Sequence, residues 1–139
     1  MLVSMLAAQG DVMSNTLLAT TFFHGRSITS TQGGVDADVI YVVPSHFDSE
    51  ISLILISNGS TSSTDISLQV FHEDEGTYTH LLKGHKVEGN DSYSPLVGAE
   101  LYLHAGDTLS AYLDSSATSS SFEISISGRQ YFNPVRKRV

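Results

Sequence analysis

Between Glu100 and Gly128 apolar residues recur at a spacing of two in three successive runs: Leu101 and Leu103; Leu109, Ala111 and Leu113; Phe122, Ile124 and Ile126. Successive side chains of an extended chain point to opposite faces, so this spacing specifies strands with one apolar face each. The opposite positions carry Ser110, Tyr112 and Asp114, then Glu123, Ser125 and Ser127, which suit solvent or a partner. The segment reads as a half-buried antiparallel sheet. A tight turn at Gly106-Asp107 makes a hairpin of its first two strands, and a Ser-rich loop, Ser115 to Ser121, precedes the third. No reactive constellation lies within it.

The rest of the chain continues the pattern. Thr16 to His24 reads as a strand, Gly25 and RSITST as a short second segment, and Gln32-Gly33-Gly34 as a turn. Asp38 to Val43 is a β-branched run stopped by Pro44, which cannot donate to a central ladder. Glu50 to Ser57 is apolar on both faces, with Ile51, Leu53 and Leu55 on one and Ile54 and Ile56 on the other, the pattern of a central strand buried in a two-layer core. Asn58 to Thr64 is a polar loop that makes a hairpin of this strand and Asp65 to His72. Glu73-Asp74-Glu75-Gly76 connects to Thr77 to Leu82, with Gly76 free to take a positive φ, and Lys83 to Pro95 is less regular.

Nine or ten short strands at spacings of 8 to 15 residues, with turns of Gly, Asn, Asp and Ser, predict an all-β fold. The expected architecture is an antiparallel two-sheet β-sandwich, jelly-roll-like or immunoglobulin-like. Open sheet edges in such a sandwich predict edge pairing or oligomerisation. Residues 14–132 make up the sandwich domain, residues 1–13 an N-terminal arm or extension, and residues 133–139 a basic C-terminal tail.

With 139 residues the chain can bury one core, and without a cysteine it has neither disulfides nor thiol chemistry. Ser and Thr account for 33 residues, against 13 for Lys, Arg and Glu together, so strong surface helix formers are scarce. The net charge of −8 is uneven: residues 1–128 carry −12 and the last eleven carry +4. The acidic body argues against nonspecific binding to nucleic acid, while Arg136, Lys137 and Arg138 read as a solvated basic tail that could contact either phosphate or an acidic protein surface. The apolar start MLVSMLAAQGD lacks a basic flank and falls short of the roughly 20 apolar residues of a membrane span, so neither a signal peptide nor a membrane is expected.

Candidate chemistry is thin. Of six histidines none stands in a His-x-His pair; His46, Asp48 and Glu50 could meet on one face of an extended segment as metal ligands, but their place after Pro44 favours a polar connection. Glu73, Asp74 and Glu75 lack the spacing of a calcium loop and read as a charged hairpin turn. Asp36 and Asp38 read as charges that keep an apolar strand from aggregating. No serine lies in a nucleophile motif and no glycine in a phosphate loop. No catalytic residue, metal or cofactor is therefore expected. Asn58 and Asn90 head chance matches to the glycosylation triplet. Tyr102 and Tyr112 lie opposite the leucine faces of their strands and are the expected partner contacts, with Arg136, Lys137 and Arg138.

The segment ELYLHAGDTLSAYLDSSATSSSFEISISGRQYF resembles the final strands of small β-sandwich virion proteins of tailed bacteriophages. In those proteins a Leu-x-Leu-x-x-Gly-Asp-x-Leu hairpin, a Ser/Ala-rich loop and a last alternating strand ending in Ser-Gly follow one another. A weaker likeness, through the same Gly-Asp turn and Ser127 to Phe132, is to tumour necrosis factor-like trimeric jelly rolls. The phage resemblance implies a non-enzymatic virion protein made in the host cytoplasm, a capsid decoration (cement) protein. It would form a homo-oligomer, a trimer, and bind the major capsid protein or another virion protein with its terminal arms. The alternative it leaves is a carbohydrate or host-receptor binding module of a tail fibre.

Overall fold

A computed structural model describes residues 19–114 and 121–134. The alternating segments form nine strands: β1 (Thr20–Ile28), β2 (Asp38–Val42), β3 (Phe47–Asn58), β4 (Thr64–His72), β5 (Thr77–Val87), β6 (Asp91–Tyr93), β7 (Leu101–Leu103), β8 (Thr108–Leu113) and β9 (Phe122–Phe132). A 3-10 turn, Gly34–Asp36, lies between β1 and β2. The expected β-sandwich is what forms: a first sheet in the order β1-β9-β3-β6, with β7 also on β3, packs against a second in the order β2-β8-β4-β5.

Pairing is antiparallel throughout and nested. The first strand pairs with the last, the second with the eighth, the third with the sixth and seventh, and the fourth with the fifth. The chain is thus one long hairpin, rolled so that its arms fall alternately into two layers. That is the jelly roll rather than the immunoglobulin order. Its tip is the turn after His72, where Gly76 takes φ 68° and donates its N–H to the His72 carbonyl at 2.8 Å. Glycine carries no Cβ penalty in that left-handed conformation.

Both sheets turn their apolar faces inward. Ile51, Ile54, Ile56, Phe122, Ile124 and Ile126 from the first meet Ile66, Leu68, Val70, Leu109, Ala111 and Leu113 from the second, all at most 2% exposed. Each such large side chain contributes roughly 1.5–3 kcal/mol by leaving water. The alternation read from the sequence is correct at Leu103, Leu109, Ala111, Leu113 and along β9.

The pairing read from it is not. β7, β8 and β9 do not share a sheet: β7 and β9 flank β3 on opposite sides, while β8 lies in the other layer. Gly106-Asp107 is a turn, but it carries the chain across the sandwich rather than closing a hairpin. β3 and β4 likewise belong to different sheets. In a rolled sandwich the short connections span two layers, and alternation alone cannot tell this from hairpin closure. β1 runs unbroken through Gly25, and β5 extends through the stretch read as irregular to Val87.

A bulge changes the phase of β3. Ile51 pairs with Gly128 but Leu53 with Ser127, leaving Ser52 as an extra residue. Ile51, Ile54 and Ile56 therefore all face the core, whereas Leu53 and Leu55 are 41% and 38% exposed rather than buried. On the second sheet Ser110, read as a solvent position, is buried. The Gln69 amide beside it accepts the Gly34 N–H at 3.3 Å and donates to the Gly34 carbonyl and to Ser110 Oγ, both at 2.9 Å, fastening the loop before β2 over the sheet. Asp38 is no free charge either: it accepts the N–H groups of Thr29 (2.7 Å) and Ser30 (2.9 Å) and pairs with Arg26 at 3.0 Å.

Candidate functional site

The β3 bulge gives the outer face of the first sheet its character. The register sets Phe23, Ser127 and Leu53 in one row across β1, β9 and β3, and Gly25, Ser125 and Leu55 in the next. Phe23 is 69% exposed. Three apolar side chains thus rise from a floor of serine and glycine.

The following row is polar. Thr21, Arg129, Glu50 and Tyr102 are cross-strand neighbours on β1, β9, β3 and β7. Two tyrosines converge on Glu50: Tyr102 Oη lies 3.0 Å from Oε2, and Tyr131 Oη 3.0 Å from Oε1. Tyr102 Oη is also 2.9 Å from Glu100 Oε1. One phenol carries one hydrogen, so Tyr102 donates to either carboxylate but not to both at once. The Arg129 guanidinium stands 3.7 Å from Glu50 and 5.4 Å from the Tyr131 ring centroid.

These contacts set the charge states. The Tyr102 and Tyr131 hydrogen bonds, assisted by the Arg129 charge, hold the Glu50 carboxyl below its ordinary value. Hydrogen bonds to Glu100 and then Glu50 push the Tyr102 phenol up to about 12. Tyr131 is raised as well, first by burial and then by its bond to Glu50. A carboxylate stabilised by donors is an acceptor and a poor proton shuttle. Beside it lies a shallow depression of about 320 Å³, lined by Thr21, Phe22, Glu50, Glu100, Ser127 and Arg129 among others.

The residues weighed as metal ligands do not assemble. Asp48 and Glu50 share a face of β3, but Asp48 is engaged by His104 Nδ1 at 3.2 Å and Asn133 Nδ2 at 3.0 Å. His46 sits before β3 at φ 69°, its ring 6.5 Å from that of Phe132. Among the described residues no group of three or more His, Cys, Asp or Glu is placed to hold a metal ion. Asn58 is buried, its amide donating to the Ser62 and Val87 carbonyls at 2.8 and 3.1 Å, so its glycosylation triplet is inaccessible in the folded chain.

Of the expected partner contacts, Tyr102 is 64% exposed on the outer face of the first sheet. Tyr112 is half-buried on the outer face of the second; its hydroxyl meets His80 Nε2 at 2.8 Å and its ring lies against Gly33, where a Cβ would come within 2.8 Å. Arg136, Lys137, Arg138 and the N-terminal arm lie outside the described residues. The sequence reading missed the row of Phe23, Leu53 and Leu55, because the bulge that turns the leucines outward leaves no mark in the apolar pattern. It also missed the convergence on Glu50; the available signal was that Asp48 and Glu50 alternate along a strand.

Among the described residues no helix is long and apolar enough to cross a membrane. No protein-family model and no curated protein matches the chain.

Proposed function

We propose that the chain is a non-enzymatic structural protein of a tailed-phage virion, a capsid decoration protein that seats across capsid subunits and stabilises the head. The observation that supports a surface-binding role is the outward row of Phe23, Leu53 and Leu55 beside the polar group of Glu50, Glu100, Tyr102 and Arg129. An apolar centre with a polar rim is the common anatomy of a protein interface. The virion setting comes from the resemblance of the last three strands, since a jelly roll by itself serves many functions. Binding several subunits at once multiplies weak contacts through effective concentration, with no chemistry required.

The test is to mix the purified full chain with heads assembled from the major capsid protein encoded nearest to it. Co-sedimentation and a higher head melting temperature are expected. No binding to heads, from a chain that is also strictly monomeric, removes the reading.

A second reading, a carbohydrate or host-receptor module of a tail fibre, draws on Tyr102. Its ring is exposed and its hydroxyl lies within hydrogen-bond reach of two carboxylates, a combination suited to stacking on a sugar and accepting its hydroxyls. Glycan-array binding that disappears in Tyr102→Ala would move the assignment there.

A further inference from the structure

The four sheet edges are finished differently. At one edge of the first sheet β6 and β7 are three residues each. β2 has five residues, a register shift at Ile40, and Pro44 soon after its end. β5 is long, but its register against β4 shifts twice, Gly84 takes φ 62°, and Lys83 and Lys86 are exposed. Shortness, bulges and lysines are the devices that keep an edge from pairing with another chain.

β1 has none of them. Its nine residues follow β9 from Thr20 opposite Gln130 to Ile28 opposite Phe122 without a shift. It contains neither proline nor lysine, and its single formal charge is turned back on its own chain, Arg26 reaching the Val39 carbonyl at 2.7 Å and Asp38 at 3.0 Å. Among the described residues no strand pairs with its outer side. Phe23, the most exposed aromatic side chain of the outer face, stands on this strand.

We infer that β1 is the docking strand for a second copy of this chain, the two β1 strands pairing antiparallel about a twofold axis at Phe23. A twofold contact uses the same patch on both copies and closes on itself, giving a dimer instead of an open filament. Centring it on a residue keeps outward side chains of one copy beside outward side chains of the other. With Phe23 at the centre, Thr21 of each copy faces Gly25 of the other and Arg26 faces Thr20, so no like charges oppose. The row of Leu53, Ser127 and Phe23 then continues across the seam into its own copy. The two first sheets become one. This pairing stands independently of the virion reading, and it predicts a dimer where the phage resemblance implies a trimer.

The experiment is sedimentation velocity of the full chain over a range of concentrations, with Phe23→Lys alongside. A monomer–dimer equilibrium is expected, weakened at least about tenfold in Phe23→Lys because two ammonium groups would meet at the axis. Since the natural chain has no cysteine, Phe23→Cys provides one thiol per copy. Under oxidation it is expected to cross-link into a dimer, while Thr79→Cys on β5 is not. A monomer at every concentration, a trimer, an unchanged equilibrium in Phe23→Lys, or equal cross-linking at Thr79→Cys overturns the inference.

Discussion

The Asp107 carboxylate accepts the backbone N–H of Glu73 at 3.0 Å, tying the turn between β7 and β8 to the tip of the β4–β5 hairpin. Its second oxygen accepts the His104 N–H at 2.9 Å, and its own carbonyl accepts the N–H of Val43 at 3.0 Å. Three connections at one end of the sandwich thus meet at one buried residue, two on its side chain and one on its backbone carbonyl. Asp107→Ala leaves two N–H groups without their acceptor and is expected to cost about 2–3 kcal/mol. Urea unfolding measures it, and Asp107→Asn, which keeps one oxygen acceptor, should lose less.

The β3 bulge rests on Gly128. A Cβ at this position would collide with the Glu50 carbonyl oxygen and come within 2.9 Å of Ile51 Cα. Gly128→Ala must therefore push β3 from β9 where the outward phase of Leu53 and Leu55 begins. A loss of about 1–3 kcal/mol is expected, as for overpacking elsewhere in cores. Thermal melting and hydrogen exchange at Ile51 and Leu53 would register it. Stability equal to that of the natural chain would show that the two strands do not approach so closely.

Acid should weaken the fold through Glu50. Its carboxyl is held below the ordinary 4.5 by Tyr102, Tyr131 and Arg129, so the folded chain binds this proton less readily than the unfolded one. The resulting stability is present above pH 4.5 and is lost as pH falls through the lower, folded value. Tyr131→Phe removes one donor and should flatten that part of the urea midpoint's pH profile. At the alkaline end the sign reverses. Tyr102 is raised from 10.0 to about 12, so its contribution is present below pH 10 and fades as pH rises through the folded value. Ultraviolet phenolate titration should show late-titrating tyrosines, one fewer of them in Tyr102→Phe.

Much of the fold was legible in the sequence because a period of two reports which side chains face inward, and Leu109, Ala111, Leu113 and the β9 isoleucines do so. Pairing was less legible. The turn at Gly106-Asp107 looks the same whether it closes a hairpin or crosses between layers, and the choice depends on partners far away in sequence, β3 for Leu103 and β2 and β4 for Leu109. The candidate site was hidden for a related reason. Leu53 becomes a surface residue only through an extra residue accommodated against Gly128, and Glu50 acquires its setting from Glu100, Tyr102, Arg129 and Tyr131, all at least fifty positions away. Tyr102 could be placed opposite the leucine face by alternation alone.

Co-sedimentation with capsids, comparing the full chain with its variant Leu53→Asp/Leu55→Asp, asks whether the proposed binding to heads runs through the outer face of the first sheet. Both leucines are already well exposed, so the variant should fold with a nearly unchanged melting temperature. The natural chain is expected to sediment with capsids and the folded variant to stay in the supernatant. Equal sedimentation of the two would contradict binding through that face.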